Sequence, residues 1–522
     1  MQDLKGKAIR GGLARLFAQG VTLLLRVGSV AVLARLLGPK DFGIVGMVTA
    51  VTGALTWFRD FGLSVAAVQS RTVTEEQIST LFWLNILLGA LLGLAALAMA
   101  PTIAAFYGEP QLFGVTAVLG LGFLVNAAGV QHSALLQRQM RFTTLAVINV
   151  VSVVAGAAVA IVGAEAGYGY WALVAMSVAS TFATTFGAWL ATGWIPGMPQ
   201  RRTGMRSMIQ FGGAVTFVGL VAYIAYNTEK VLIGRFWGAD AIGLYGRAYY
   251  LVGTPTDNLK AAVGEVALSA LSRLQDDPVR LRSYFLKGFS IVFGLTLPFT
   301  IAFALFADDM VFVLLGPKWT DSAAIVRLLA PTIVIFAIMN PLGWLLYSMG
   351  MVTRSLKIVL VLAPLMVMGY VIALPFGPKG VAFAYSAVMI LWVIPYASWC
   401  VHGMPISLRD ILLAVSRPLA SGIVAGGVAF GVELMCGQFF SVFVRLVLES
   451  GVLVVTFFAV LLFAAGQKSL YLDLLRGMKG GRSSDAGNTP ESGAIKRTWN
   501  TCSQPVYDER ISEATVSSNG LP

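Results

Sequence analysis

Residues 14–36 read ARLFAQGVTLLLRVGSVAVLARL. The run is long and apolar enough to cross a bilayer, which takes about 20 mostly apolar residues. Inside it, Arg15, Gln19, Thr22, Arg26 and Ser29 recur every three or four residues and form a single polar stripe at helical period. An arginine at the centre of a membrane helix costs roughly 2.5–3.5 kcal/mol on insertion scales. The stripe is therefore expected to face a wet cavity or a partner, while the rest of the helix faces lipid. Arg15 is close enough to the end of the span to snorkel, whereas Arg26 is deep. Lys5, Lys7 and Arg10 precede the run, but it holds internal arginines and no small-residue cleavage site, so it reads as a retained first helix and not as a signal peptide.

Three more spans repeat the pattern. Thr49, Thr52, Thr56 and Arg59 line one face of the second. Tyr223, Asn227 and Lys230 do so in the seventh, with Glu229 beside them, and Tyr250, Thr254, Asp257 and Lys260 in the eighth. Further apolar runs bring the expected spans to 14–36, 42–63, 80–100, 112–132, 144–163, 168–190, 209–234, 243–270, 286–306, 325–347, 356–375, 380–400, 411–435 and 443–465. The eighth is the weakest by hydropathy because it contains Arg247, Asp257, Lys260 and Glu265.

Composition agrees. The 522 residues are 57% hydrophobic and only 12% charged, with a mean hydropathy of +0.79. Soluble globular chains carry about 25% charged residues, so this chain cannot cover a soluble surface of its size. The net charge of +12 does not point to nucleic acid, because the basic residues alternate between loops. With the N-terminus inside, inner connectors carry Arg71, Arg138, Arg141, Arg201, Arg202, Arg206, Arg273, Arg280, Arg282, Lys287, Arg354, Lys357 and Arg409. Outer connectors carry Lys40, Arg235, Lys318 and Lys379. That bias implies a multi-pass membrane protein with cytoplasmic termini. Cys400, Cys436 and Cys502 have no paired or metal-type spacing, and His132 and His402 cannot build a zinc site. No cofactor is called for. From about residue 467 the chain turns polar and is expected to be a disordered cytoplasmic tail.

An internal repeat sets the plan. Arg35-Leu36-Leu37-Gly38 followed by Gly43 is echoed by Arg235-Phe236-Trp237-Gly238 followed by Gly243. A second echo relates Ile103–Gly108 to Val311–Gly316. Six helices separate the copies, so both halves enter the membrane the same way round, a parallel repeat. The expected fold is all-α: a six-helix bundle at 1–200, a second at 201–402, two added helices at 403–466 and a tail at 467–522. Substrate would bind between the halves. The striped helices are the leading hairpins of the two repeats, and their faces are expected to meet at one cavity. Arg26, Arg59, Lys230 and Lys260 would make it cationic, with Gln19, Thr22, Thr56 and Asn227 as polar contacts. Asp60, Glu229 and Asp257 would be counter-charges and candidates for ion coupling. Arginine and lysine both bind phosphate, arginine bidentately. Glu229–Lys230 and Asp257–Lys260 can equally be ion pairs that stabilise each half. Arg445 and Glu449, four residues apart, read as a structural pair, and Asp308-Asp309 as solvated loop charge. Trp171, Trp237 and Trp319 read as interface anchors. Gly89/Gly93 and Gly422/Gly426 read as close helix contacts.

Several runs resemble a known family. LARLLGPKDFG (33–43), FRDFGL (58–63), Phe82 to Asn85, Pro101 to Pro110, GYGYWAL (167–173) and KVLIGR (230–235) are together similar to the Wzx-type polysaccharide flippases of the multidrug/oligosaccharidyl-lipid/polysaccharide exporter superfamily, over about residues 10 to 400. The resemblance implies two six-helix bundles forming a V-shaped alternating-access carrier for undecaprenyl-diphosphate-linked sugar repeat units. It implies a lipid-linked oligosaccharide and the bilayer as partners, with a polysaccharide polymerase and chain-length or export proteins beside them. Related lipid flippases use cationic cavity residues, and Arg26, Arg59 and Lys260 occupy comparable helices. Glu229 stands where relatives often carry Asp, keeping the charge.

Two other classes fit the sequence less well. A multidrug exporter of the same superfamily would favour an acidic or aromatic cavity, which the arginines oppose. A membrane glycosyltransferase or polymerase has only Asp308-Asp309 in its favour. No phosphate-binding glycine-rich loop ending in Lys-Ser or Lys-Thr occurs.

Overall fold

The structure is a computed structural model and describes residues 2–58, 74–199, 206–436, 440–468 and 471. These residues are almost entirely helical. The chain is a polytopic, all-α membrane protein. Among the described residues, eleven continuous helical stretches are long and apolar enough to cross a bilayer. One of them, Val352–Val401, is 50 residues long; its two arms meet at Gly377, where φ is +73°, and match two of the expected spans. The seventh and eighth expected spans are outside the eleven. They lie in one 67-residue helix, Arg206–Ser272, broken at Gly238 (φ +81°, ψ −174°), a backbone conformation essentially confined to glycine.

In chain order the helices are α1 (Gln2–Leu36), α2 (Pro39–Thr52, continued by a 3-10 segment Gly53–Phe58), α3 (Glu75–Tyr107), α4 (Gln111–Arg138), α5 (Phe142–Glu165) and α6 (Tyr170–Thr192). The broken helix Arg206–Ser272 is α7. Then follow α8 (Pro278–Leu305), α9 (Ala307–Leu314), α10 (Asp321–Leu329), α11 (Pro331–Ser348), α12 (Val352–Ala373), α13 (Gly377–Val401), α14 (Leu408–Cys436) and α15 (Val442–Ala459).

Local sequence sets many of the ends. Thr74 and Gln77 form a reciprocal capping box that starts α3. Gly108 ends it at φ +72°. Gly316, its partner in the second echo, also sits at positive φ, +94°, just past α9, so the two echoes finish their helices in the left-handed half of φ space. A side-chain carbon at Gly89 would lie 2.5 Å from the Ala127 Cβ, and one at Gly422 2.5 Å from Leu297. Both glycines thus allow the close helix approach expected of them.

Helices α1 and α3 to α6 pack mainly among themselves, α7 to α13 do likewise, and α14 and α15 lie against α8. The main seam between the first two groups is α2 against α7. A carbon added at Gly43 would lie 1.8 Å from the Ala239 carbonyl oxygen, and one at Gly243 would lie 1.9 Å from that of Pro39. The two contacts are equivalent under a shift of 200 residues, the shift of the first echo.

Three expectations are corrected. The guanidinium of Arg445 bonds Asp309 on α9, not the expected Glu449, whose oxygens have no hydrogen-bond partner among the described residues. Asp308 and Asp309 are not loop charge: they lie in the first turn of α9, and Asp308 accepts from Arg327 at 2.6 Å. Trp319 is no interface anchor. It is fully buried, donates to the Ala34 carbonyl at 2.8 Å and meets Phe42 edge-on at 5.3 Å. Sequence near a connector does not distinguish an interfacial indole from one buried against helices distant in the chain, here α1 and α2. The expected tail falls, from residue 472, outside the described residues.

Candidate functional site

The polar stripe of α1 ends beside the second arm of α7. Between them, with α2, α4 and α5 completing the wall, is a cavity of about 840 Å³. Gln19, Thr22 and Arg26 line it from α1, one helical turn apart. Lys230 lines it from the first arm of α7; Arg247, Tyr250, Thr254 and Asp257 line it from the second. Three cationic side chains thus face the cavity against one carboxylate, Asp257.

Each cation is held differently. Lys230 Nζ donates to Asn227 Oδ1 at 2.8 Å and sits 4.2 Å from the Tyr249 ring centroid. Its other neighbour is Glu229, 3.9 Å away, with no exposure and no hydrogen-bond partner on either oxygen. Arg247 lies 4.6 Å over the Phe42 ring and 5.3 Å from that of Tyr250, and its Nε has no partner. Arg26 is exposed to the cavity. Fixed guanidinium and ammonium groups on a partly wet, low-dielectric wall can hold a phosphate-bearing headgroup and would repel a cation.

The roof is the α2–α7 crossing: Phe42, Gly46, Ile242 and Gly243 line the cavity there. Around it Arg35 donates to the Val313 carbonyl at 2.8 Å, and Lys318 to that of Arg35 at 3.2 Å. At the other end the cavity reaches Gln137 and Phe142, which flank the turn between α4 and α5.

Of the residues singled out in sequence, Gln19, Thr22, Arg26, Thr49, Lys230, Tyr250, Thr254 and Asp257 line this cavity. Asn227 touches it only through Lys230. Thr56 lies in the 3-10 segment, bonded to the Gly53 carbonyl at 2.6 Å, and Lys260 is exposed; neither lines it. Glu229 is behind the wall. Among the described residues no ion pair joins Asp257 to Lys260. Arg59 and Asp60 lie outside the described residues. Arg247, Gln137 and Asn149 were missed. Arg247 was legible: it extends the Tyr250, Thr254, Asp257 stripe by one more turn.

Residues 32–324 match the family model described as polysaccharide biosynthesis protein, more than half of the chain. The chain belongs to this family. It is a multi-pass transport protein of polysaccharide biosynthesis, in the multidrug/oligosaccharidyl-lipid/polysaccharide exporter superfamily. Among curated relatives it is 25% identical over 399 residues to the lipopolysaccharide biosynthesis protein WzxC of Escherichia coli K12, covering 74% of this chain and 80% of that one. It is 27% identical over 393 residues to the teichuronic acid biosynthesis protein TuaB of Bacillus subtilis, covering 73% and 79%. Among solved structures, the lipid II flippase MurJ in an inward closed conformation aligns with a TM-score of 0.69 at 13% identity, over 90% of this chain and 100% of that one. A multidrug resistance MATE family transporter in an inward-facing conformation aligns with 0.58 at 15% identity, over 75% and 98%. These structural likenesses establish a shared fold.

Proposed function

We propose that the protein is a flippase that moves an undecaprenyl-diphosphate-linked oligosaccharide from the cytoplasmic to the periplasmic leaflet. The observation that carries this reading is the convergence of Arg26, Lys230 and Arg247 on one cavity between the two repeat hairpins. Such a headgroup is anionic and too hydrophilic to cross hydrocarbon unaided. A cationic cleft reached from each side in turn supplies a path, and relatives named for lipopolysaccharide and teichuronic acid biosynthesis fit a glycan cargo. The same reading places the protein in a bacterial inner membrane with cytoplasmic termini and divides it into moving bundles at 1–200 and 201–402. The end of the cavity at Gln137 and Phe142 then faces the cytoplasm, because Arg138 and Arg141 flank that turn, and the crossing at Gly43 and Gly243 is the periplasmic seal. With the inside negative, each net negative charge moved outward gains about 2.3 kcal/mol per 100 mV.

The test is deletion of the gene followed by tracking of lipid-linked intermediates. These should accumulate on the cytoplasmic leaflet, and Arg26→Ala should reproduce the block with the protein still in the membrane. Full export by membrane-inserted Arg26→Ala protein would remove the cavity from the mechanism.

A further inference from the structure

We propose that an uncharged polar pocket opening off the central cavity is a binding site for a sugar ring, the first sugar attached to the diphosphate. The proposal rests on the flippase reading and deepens it. The pocket has a volume of about 360 Å³, within the range of small-ligand sites. It lies among α1, α4, α5 and α6, with Tyr250 of α7 at its edge, and shares Arg26, Asn149 and Tyr250 with the central cavity. A group bonded to a phosphate held at Arg26 therefore enters it directly.

Its chemistry differs from that of the cavity. Arg26, at the mouth, is the one charged residue in its lining; the polar remainder is Asn126, Asn149, Ser152, Ser180, Thr181 and Thr184. The hydroxyl protons are largely committed within their own helices. Ser152 donates to the Asn149 carbonyl, Thr181 to that of Ser177 and Thr184 to that of Ser180, each at 2.8 Å. Their oxygens retain lone pairs, and the buried Asn126 Oδ1 has no partner. The wall thus offers acceptor oxygens beside the amide N–H groups of Asn126 and Asn149 and the Tyr250 hydroxyl, a mixed set that suits groups able both to donate and to accept. A second phosphate brings acceptors only, and a prenyl chain brings neither. A sugar ring brings several hydroxyl donors and no charge, and it would satisfy an amide oxygen whose burial without a partner costs free energy.

The test compares two probes on the full chain in lipid nanodiscs: undecaprenyl diphosphate, and the same lipid bearing a single glucose or galactose. At least one hexosyl form should bind about tenfold tighter than the sugar-free lipid, the gain expected of one or two well-made hydrogen bonds. Asn126→Ala combined with Thr181→Val, the second near-isosteric, should bring that ratio to about one. Asn126→Ser alone should lower it part of the way, and provides the answer if the double variant does not assemble. A wild-type ratio near one for both sugars, or a gain that survives the substitutions, overturns the subsite and shows a water-filled cleft only. The reading of the central cavity stands in that case, provided that sugar-free lipid binds and Arg26→Gln weakens it about tenfold or more. If sugar-free lipid does not bind the wild type at all, that reading fails, and the subsite with it.

Discussion

Arg247 is fixed by shape as well as by charge. Its guanidinium lies over the Phe42 ring from the other repeat hairpin and beside Tyr250. A planar, delocalised cation can stack in this way and still direct its edge N–H groups at an anion, which an ammonium cannot do. Among the described residues Arg26 stacks on no ring, and it lies exposed in the cavity, so position and charge are what it offers. The two arginines should therefore respond differently to a conservative change. Arg26→Lys is expected to keep most transport, while Arg247→Lys should lose about threefold to tenfold, in line with a cation–π contact of roughly 0.5–1 kcal/mol or more. Accumulation of glycan at the cell surface, normalised to membrane-inserted protein, measures both. Equal tolerance at the two positions would show that stacking on Phe42 is incidental. The same pair shows what the sequence exposes. Arg26 stands out within an apolar run, whereas Arg247 lies among the other charges of the eighth span and emerges only when its spacing to Tyr250, Thr254 and Asp257 is followed.

At the level of elements, the added helices α14 and α15 are tied to the second repeat by charge. Asp309 on α9 and Arg445 on α15 are mostly buried and bonded in a two-pronged pair. Removing one partner of such a pair strands the other in a low-dielectric site. Arg445→Ala should destabilise the protein by about 3 kcal/mol, read as a lowered unfolding temperature in detergent, whereas Arg445→Leu with Asp309→Leu should recover most of the loss. A single variant as stable as the parent would mean that α15 is held by apolar packing alone. Most membrane-length helices were legible, because a span declares itself by hydropathy, whereas the eight-residue α9 was read as loop. The partners of charges were not: Arg445 and Glu449 fit the i, i+4 rule, yet the fold brings Asp309 from 136 positions away. Trp319 was misread for the same reason, since its burial against Ala34, 285 positions away, and Phe42 is a long-range contact that no local pattern encodes.

At the scale of the whole molecule, the echoed glycines mark the place where the two repeats touch. Each lies against the other repeat's backbone: Gly43 on Ala239, Gly243 on Pro39. A carbonyl oxygen cannot swing aside as the end of a flexible side chain can, so a methyl group at either position must push the α2–α7 crossing apart. In a carrier that seals one side while the other is open, widening this crossing biases the molecule away from the state with the cavity closed beneath Gly43. Gly43→Ala and Gly243→Ala should therefore have the same effect, although they lie 200 residues apart. Leu37, buried beside this seam, offers a reporter. As Leu37→Cys, in a background with Cys400, Cys436 and Cys502 replaced, it should react several-fold faster with a membrane-impermeant maleimide added from the periplasmic side when either glycine carries a methyl, and glycan export should fall about tenfold. If labelling stays at the parental rate while the protein remains folded, the crossing yields without opening and the seal lies elsewhere. If only one of the two substitutions opens it, the pseudo-symmetry of the contact does not extend to its energetics.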